Sequence, residues 1–144
     1  MINIFSDASC KNFGNISGVD SYFVGNSLDY NLSSKSNCDL ILEKINKINH
    51  QSVEQNYLHF GEYDMRLLLG FGKFPHLNKR LSVTKLRKSK TDIFVENYIY
   101  LLNNLPDNFK IISAITSFSP SINFVSYYNS KLLSKVPTKQ IDIF

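Results

Sequence analysis

The sequence predicts one α/β domain over residues 1–144: a five-stranded mixed sheet, three antiparallel strands followed by parallel ones, with helices flanking it. Three observations predict this. Short apolar runs closed off by Gly, Asn and Ser recur from the amino terminus onward, as half-buried strands do. In the second half of the chain such runs alternate with apolar residues at helical spacing. No internal repeat and no low-complexity linker marks a second domain, and 43% hydrophobic residues supply one sizeable core.

Each element has its own local cause. Met1 to Asp7 reads as a first strand, Asn12 to Gly18 as a polar connection, and Val19 to Gly25 as a second strand. Asn26-Ser27 is suited to closing a hairpin into Leu28–Leu32, whose alternation suggests a third, antiparallel strand with one solvated face. Ser36-Asn37-Cys38-Asp39 has the form of a capping box, and Ile41, Ile45 and Ile48 continue it at helical spacing. Tyr57 to Phe60 is a short apolar strand, and Glu62 to Leu69 a helix ended by Gly70. Ser89-Lys90-Thr91-Asp92 opens a helix carrying Phe94, Tyr98, Leu101, Leu102 and Leu105, which Pro106 stops. Phe109 to Ile115 is the fifth strand, and Ser119-Pro120 starts a last helix with Ile122, Val125, Tyr128 and Leu132 on one stripe.

Composition excludes several classes. The longest apolar stretches, such as Leu67–Phe71, fall far short of the roughly 20 residues that span a bilayer, so no membrane partner is expected. Met1-Ile2-Asn3-Ile4 carries no positive charge ahead of its apolar run and reads as a strand rather than a secretory signal, which gives a cytoplasmic expectation. Cys10 and Cys38 form no close-spaced pair, and His50, His59 and His76 lack zinc-site spacing. Each cysteine reads as a small buried apolar residue.

The net charge of +4 and pI near 9.0 are a modest excess, but its distribution is uneven. Residues 73–90 carry Lys73, Lys79, Arg80, Lys85, Arg87, Lys88 and Lys90 without one acid. A block of this kind either grips phosphates by releasing their counterions or is a solvated basic loop.

Asp7 in "IFSDAS" raises the chemical question, because aspartate is depleted in strands. Either it opens a turn by accepting backbone amides, or it is an interior carboxylate that must be paired, hydrogen-bonded or bound to a metal.

The motif resembles the first strand of type 1 ribonucleases H, where an apolar run ends in Thr-Asp-Gly or a close relative and the Asp binds metal. The element order resembles that ribonuclease H-like fold along nearly the whole chain. The resemblance implies Mg²⁺ or Mn²⁺ as cofactor and hydrolysis of the RNA strand of an RNA/DNA hybrid as the activity. It places Asp7 on the first carboxylate and Asp39 on the second, where the family has Glu on its first helix. Asp39 also fits as the acidic member of its capping box, and Glu43, one turn on, also fits as an i,i+4 partner of Lys47. The third carboxylate falls on Gly61, a departure that leaves Glu62 or Asp64 to reach the site; both acids also suit the first turn of a helix. The fourth falls between Tyr127 and Ser130, where Asn129 is the nearest isostere and no acid stands.

Two-metal hydrolysis needs carboxylates converging on ions roughly 3.5–4 Å apart. Asp7, Asp39 and Glu62 are the candidate metal ligands, with Asp64 a further candidate catalytic acid. The basic block corresponds in position to the basic handle with which some bacterial members grip the hybrid. RNA/DNA hybrid or structured RNA is therefore the expected partner. The alternative is a catalytically inactive module of the same fold that binds nucleic acid or a protein partner. A third reading, phosphate binding by Gly70-Phe71-Gly72-Lys73, rests on a fragment without the full nucleotide-loop spacing.

Overall fold

The computed structural model describes residues 2–7, 14–26, 29–48, 55–68, 84–112, 122–135 and 140–141. Its strands are β1 (Ile2–Ser6), β2 (Val19–Phe23), β3 (Gln55–His59), β4 (Phe109–Ile112) and the two-residue β5 (Gln140–Ile141). Its helices are α1 (Lys35–Asn46), α2 (Glu62–Leu68), α3 (Thr84–Asn103) and α4 (Ile122–Lys135). Every strand pair is parallel, in the spatial order β2-β1-β3-β4-β5. Four full strands thus make an all-parallel sheet that β5 extends at one edge.

This overturns the mixed, ribonuclease H-like sheet expected from the sequence. β1 and β2 pair in parallel, Ile2 beside Val19 and Ser6 beside Phe23, which requires the chain to travel back between them. The connection from Asp7 to Gly18 is a dozen residues, the length a parallel crossover needs. The expected third strand is also absent among the described residues: Asp29 to Ser34 is irregular, and its polar groups serve loop contacts rather than a ladder. Ser27 and Leu28, central to the expected hairpin, lie outside the described residues.

Helix boundaries moved for local reasons. Ser34, not Ser36, caps α1, its Oγ accepting the Asn37 N–H at 3.2 Å. α3 begins at Thr84, ahead of the expected start at Ser89. α3 ends before Pro106, as expected; α1 stops at Asn46, short of Ile48, and the expected end of α2 at Leu69–Gly70 and start of α4 at Ser119–Pro120 lie outside the described residues.

The steps β2→β3, β3→β4 and β4→β5 all run the same way across the sheet, so right-handed crossovers put α1, α3 and α4 on one face. The main core lies there. Phe5, Leu58, Phe109 and Ile111 from the sheet meet Ile41, Ile45, Phe94, Tyr98, Leu101, Tyr128 and Leu132 from the helices. Phe5 stacks on Tyr22 of the neighbouring strand, with ring centroids 5.2 Å apart. Asn3 and Asn56, both buried on this face, pair with each other at 3.1 Å. The opposite face carries a smaller cluster of Ile4 and Ile112 with half-buried Ile2, Val19 and Tyr57. No helix of the described residues is long and apolar enough to cross a membrane.

Candidate functional site

An open parallel sheet offers a crevice where successive connections leave in opposite directions, outside the carboxy-terminal ends of its strands. Here β1 leads out towards β2, and the chain then passes over β1 to enter β3 on its other side. The switch lies between β1 and β3. Most of the buried polar residues collect at that end: Ser6, Asp7, Asn31, His59, Glu62 and Asp64.

Asp7 follows β1 directly and is wholly buried. Its Oδ2 accepts the Tyr63 N–H at 3.2 Å, and its own N–H donates to the His59 carbonyl at 3.4 Å. Asp7 is thus an interior carboxylate with a hydrogen bond to a partner 56 residues away, while the residues just after it, on which the turn reading depends, lie outside the described residues.

Asp64, in the first turn of α2, is also wholly buried. Its two carboxylate oxygens accept the backbone N–H groups of Asn31 at 2.6 Å and Leu32 at 3.2 Å. Burial pushes its carboxyl up to about 8; the hydrogen bonds from Asn31 and Leu32 and the nearby Lys90 ammonium oppose this, while the Asp7 charge adds to it. The Asp7 charge therefore acts on Asp64, whose carboxyl retains its proton near neutrality.

Glu62 takes a different direction. Its Oε2 stands 3.6 Å from His59 Nε2, both side chains buried. Asp39 is separate again: it is exposed on α1, and its Oδ1 accepts the Tyr100 hydroxyl of α3 at 2.7 Å. The structure brings Asp7 and Asp64 together and leaves Asp39 with another partner, and among the described residues no group of three His, Cys, Asp or Glu is placed to hold a metal ion. Glu43 makes the surface pair with Lys47 that its spacing implied, at 3.8 Å.

Asn31 and Gly25 are the members that the sequence did not reveal. Asn31 Oδ1 accepts the Asn26 N–H. A Cβ on Gly25 would stand 2.7 Å from Asn31 Oδ1 and 3.0 Å from Asp7 Cα, so only glycine lets the end of β2 approach β1 this closely. The signal available was "VGN" after an apolar run, which equally suits a hairpin.

Beside this wall a pocket of about 280 Å³ opens between the end of β2 and α1. Phe23, Val24, Leu40 and Ile41 form its apolar sides, and Gly25, Tyr30, Asn31 and Lys44 its polar ones.

No family model matches the chain, and no curated protein or solved structure matches it at a significant level.

The basic segment is partly in view. Lys73, Lys79 and Arg80, like the Gly70–Lys73 fragment, lie outside the described residues, and Lys85 and Arg87 are placed in α3 by backbone alone. Lys88 is exposed, with its ammonium 5.5 Å from the centre of the Tyr127 ring. Lys90 turns inward. Its Nζ lies 5.1 Å from the Tyr30 ring centre and 5.6 Å from that of Phe94, and its charge acts on Asp64.

Proposed function

We propose that the protein is a small-ligand-binding α/β domain that receives its ligand at the carboxy-terminal ends of β1, β2 and β3. The observation that carries this reading is the pocket beside β2, backed by Gly25, which lies against Asp7 at the switch between β1 and β3, and by Asn31, which Asp64 holds. Buried polar side chains cost stability unless partnered, and a fold concentrates them where they have work other than packing. Among the described residues, the opposite end of the sheet has the paired Asn3 and Asn56 and no comparable group of buried acids.

A panel of nucleotides, sugar phosphates and small organic acids, screened by thermal shift and mapped by amide chemical shifts, tests the reading. A ligand that raises the melting temperature and perturbs Val24–Asn26, Asn31 and Tyr63–Asp64 supports it. Perturbation confined to the Asn3, Asn56 and Asn108 end, or no binding by any class, overturns it.

Nucleic-acid binding through the basic segment is a second reading. It is favoured by α3 starting at the same end of the sheet, where Lys90 meets Asp64, so that the amino-terminal turns of α3 bring Lys85, Arg87 and Lys88 to the candidate site's edge. Hydrolysis of a hybrid has no such support, since it drew on the mixed sheet.

A further inference from the structure

We propose that two copies of this chain pair edge to edge, β2 against β2 in antiparallel direction about a twofold axis at Ser21, so that two sheets become one. The inference stands apart from the ligand reading above.

The two sides of the sheet end differently. Among the described residues β5 is an edge of two residues, whereas β2 is a five-residue edge strand with β1 on one side and no strand on the other. No residue of β2 is buried, while four of the five in β1 are. An open strand edge is a template for another strand unless a proline, a lysine or a bulge blunts it. Val-Asp-Ser-Tyr-Phe, in regular register with β1, carries one acid and none of these.

The backbone fixes which groups a second strand meets. The Gly18 carbonyl accepts the Ile2 N–H at 3.0 Å, and the Val24 N–H donates to the Ser6 carbonyl at 3.0 Å. Successive residues of a strand direct their backbone groups to alternate sides, so Val19, Ser21 and Phe23 direct theirs away from β1. The Val19 N–H has the Ile16 carbonyl at 3.3 Å, and the outward edge runs from the Val19 carbonyl to Phe23.

About Ser21 the strand is complementary to itself. With Ser21 opposite Ser21 of a second copy, Val19 meets Phe23, and the exposed Asp20 carboxylate meets the Tyr22 phenol. A β-branched residue with an aromatic, an acceptor with a donor, and two hydroxyls are all favourable cross-strand pairs. An axis at Asp20 would set two carboxylates face to face, and an axis at Tyr22 would leave Val19 opposite Gly25, which has no side chain to meet it.

The apolar surface agrees. Ile16, Phe23 and Leu40 are the three most exposed large apolar side chains among the described residues. Ile16 stands just ahead of β2, Phe23 ends it, and Leu40 lines a pocket together with Phe23. Antiparallel pairing brings the start of one strand to the end of the other, and so brings Ile16 towards the Phe23 and Leu40 of the second copy. A foreign strand would find the same backbone groups, but the match about Ser21 favours a second copy.

Sedimentation equilibrium of the full chain, from micromolar to millimolar, should show a monomer–dimer equilibrium. Phe23→Asp, at an exposed position, should weaken the dimer by about tenfold or more without lowering the melting temperature, since the Val19–Phe23 pair occurs twice. The register is read by oxidation in a Cys10→Ser background. Ser21→Cys should give a disulfide-linked dimer, because directly opposed residues of a hydrogen-bonded pair have Cα atoms about 5.5 Å apart, within disulfide range. Asp20→Cys should not, because its counterpart stands two residues along the second strand. If Ser21→Cys does not fold, Val19→Cys and Phe23→Cys read the same register, each silent alone and cross-linked when mixed. A monomer at millimolar concentration, a dimer indifferent to Phe23→Asp, or cross-linking of Asp20→Cys as fast as Ser21→Cys or the mixed pair overturns the inference.

Discussion

Asp64 holds Asn31 by a 2.6 Å hydrogen bond from the Asn31 N–H, joining the first turn of α2 to the loop before α1 across 33 residues of sequence. The bond ties together two segments that border the candidate site. It also makes the site sensitive to pH. Because burial raises the Asp64 carboxyl from 3.8 to about 8, the folded protein binds a proton there that the unfolded chain has released. The stability this contributes is complete below about pH 4 and is lost as pH rises through about 8. Asp64→Asn should remove that dependence at a cost of one hydrogen bond. Urea melts between pH 5 and 8 should show the wild-type advantage over Asp64→Asn shrinking with pH, by at most about 1.4 kcal/mol per unit. A constant difference would mean that Asp64 is ionised throughout.

The turn from β3 into α2 admits only glycine. Gly61 has φ near +100°, and a Cβ there would overlap the Tyr128 hydroxyl. Gly61→Ala should destabilise the protein by about 1–3 kcal/mol or more, from backbone strain and from the clash. Shortening the neighbour, as in Tyr128→Leu, should reduce the penalty of Gly61→Ala without abolishing it, because the positive φ remains. Full additivity in that double-mutant cycle would show that Tyr128 yields freely.

Phe60, the residue that leaves the sheet, has both backbone groups held by tyrosines. Its N–H donates to Tyr98 Oη at 3.1 Å, and its carbonyl accepts from the Tyr128 hydroxyl at 3.1 Å. Tyr98→Phe leaves the Phe60 amide unpaired in the core and should cost about 1–3 kcal/mol. Hydrogen exchange at Phe60 should accelerate by more than at distant amides such as Ile111. Uniform acceleration would assign the loss to packing alone.

Cys38 is wholly buried, and its Sγ donates to the Asn97 carbonyl at 3.4 Å. Burial, with Asp64 and Asp39 nearby, pushes its thiol up to about 12, which leaves almost no thiolate. In a Cys10→Ser background, thiol labelling should proceed only through unfolding and track the stability measured in urea. Fast labelling under native conditions would contradict the burial.

The basic segment is tested by charge rather than by packing. Replacing Lys79, Lys85, Arg87 and Lys88 by Gln should weaken binding to a hybrid or structured RNA and flatten its log–log salt dependence by roughly 0.7 to 0.9 per lost phosphate contact. Lys90 is left in place because it faces Tyr30, Phe94 and Asp64. Unchanged affinity and slope would reduce the segment to a solvated surface.

Local physics was legible in the sequence. The apolar runs at Ile2–Phe5, Tyr57–His59 and Phe109–Ile112 are strands because short apolar runs of this kind suit a sheet covered on both faces, and the stripes through Ile41, Tyr98 and Tyr128 are helices because their period matches one buried face. The oddity of Asp7 was legible too, as a carboxylate whose burial needs a partner. Pairing direction was not. A short apolar strand followed by Gly-Asn serves equally as one arm of a hairpin or as the edge of a parallel sheet, and only contacts between distant segments choose. The same holds for the site. Glu62 and Asp64 stand two residues apart with the same helix-start signature, yet Glu62 meets His59 while Asp64 takes the amides of Asn31 and Leu32. Composition and periodicity determined that this chain folds as helices against a sheet. The parallel order, the closeness of Asp7 to Asp64 and the pocket behind Gly25 were decided by tertiary structure, because each depends on which remote backbone groups are left to satisfy when the core closes.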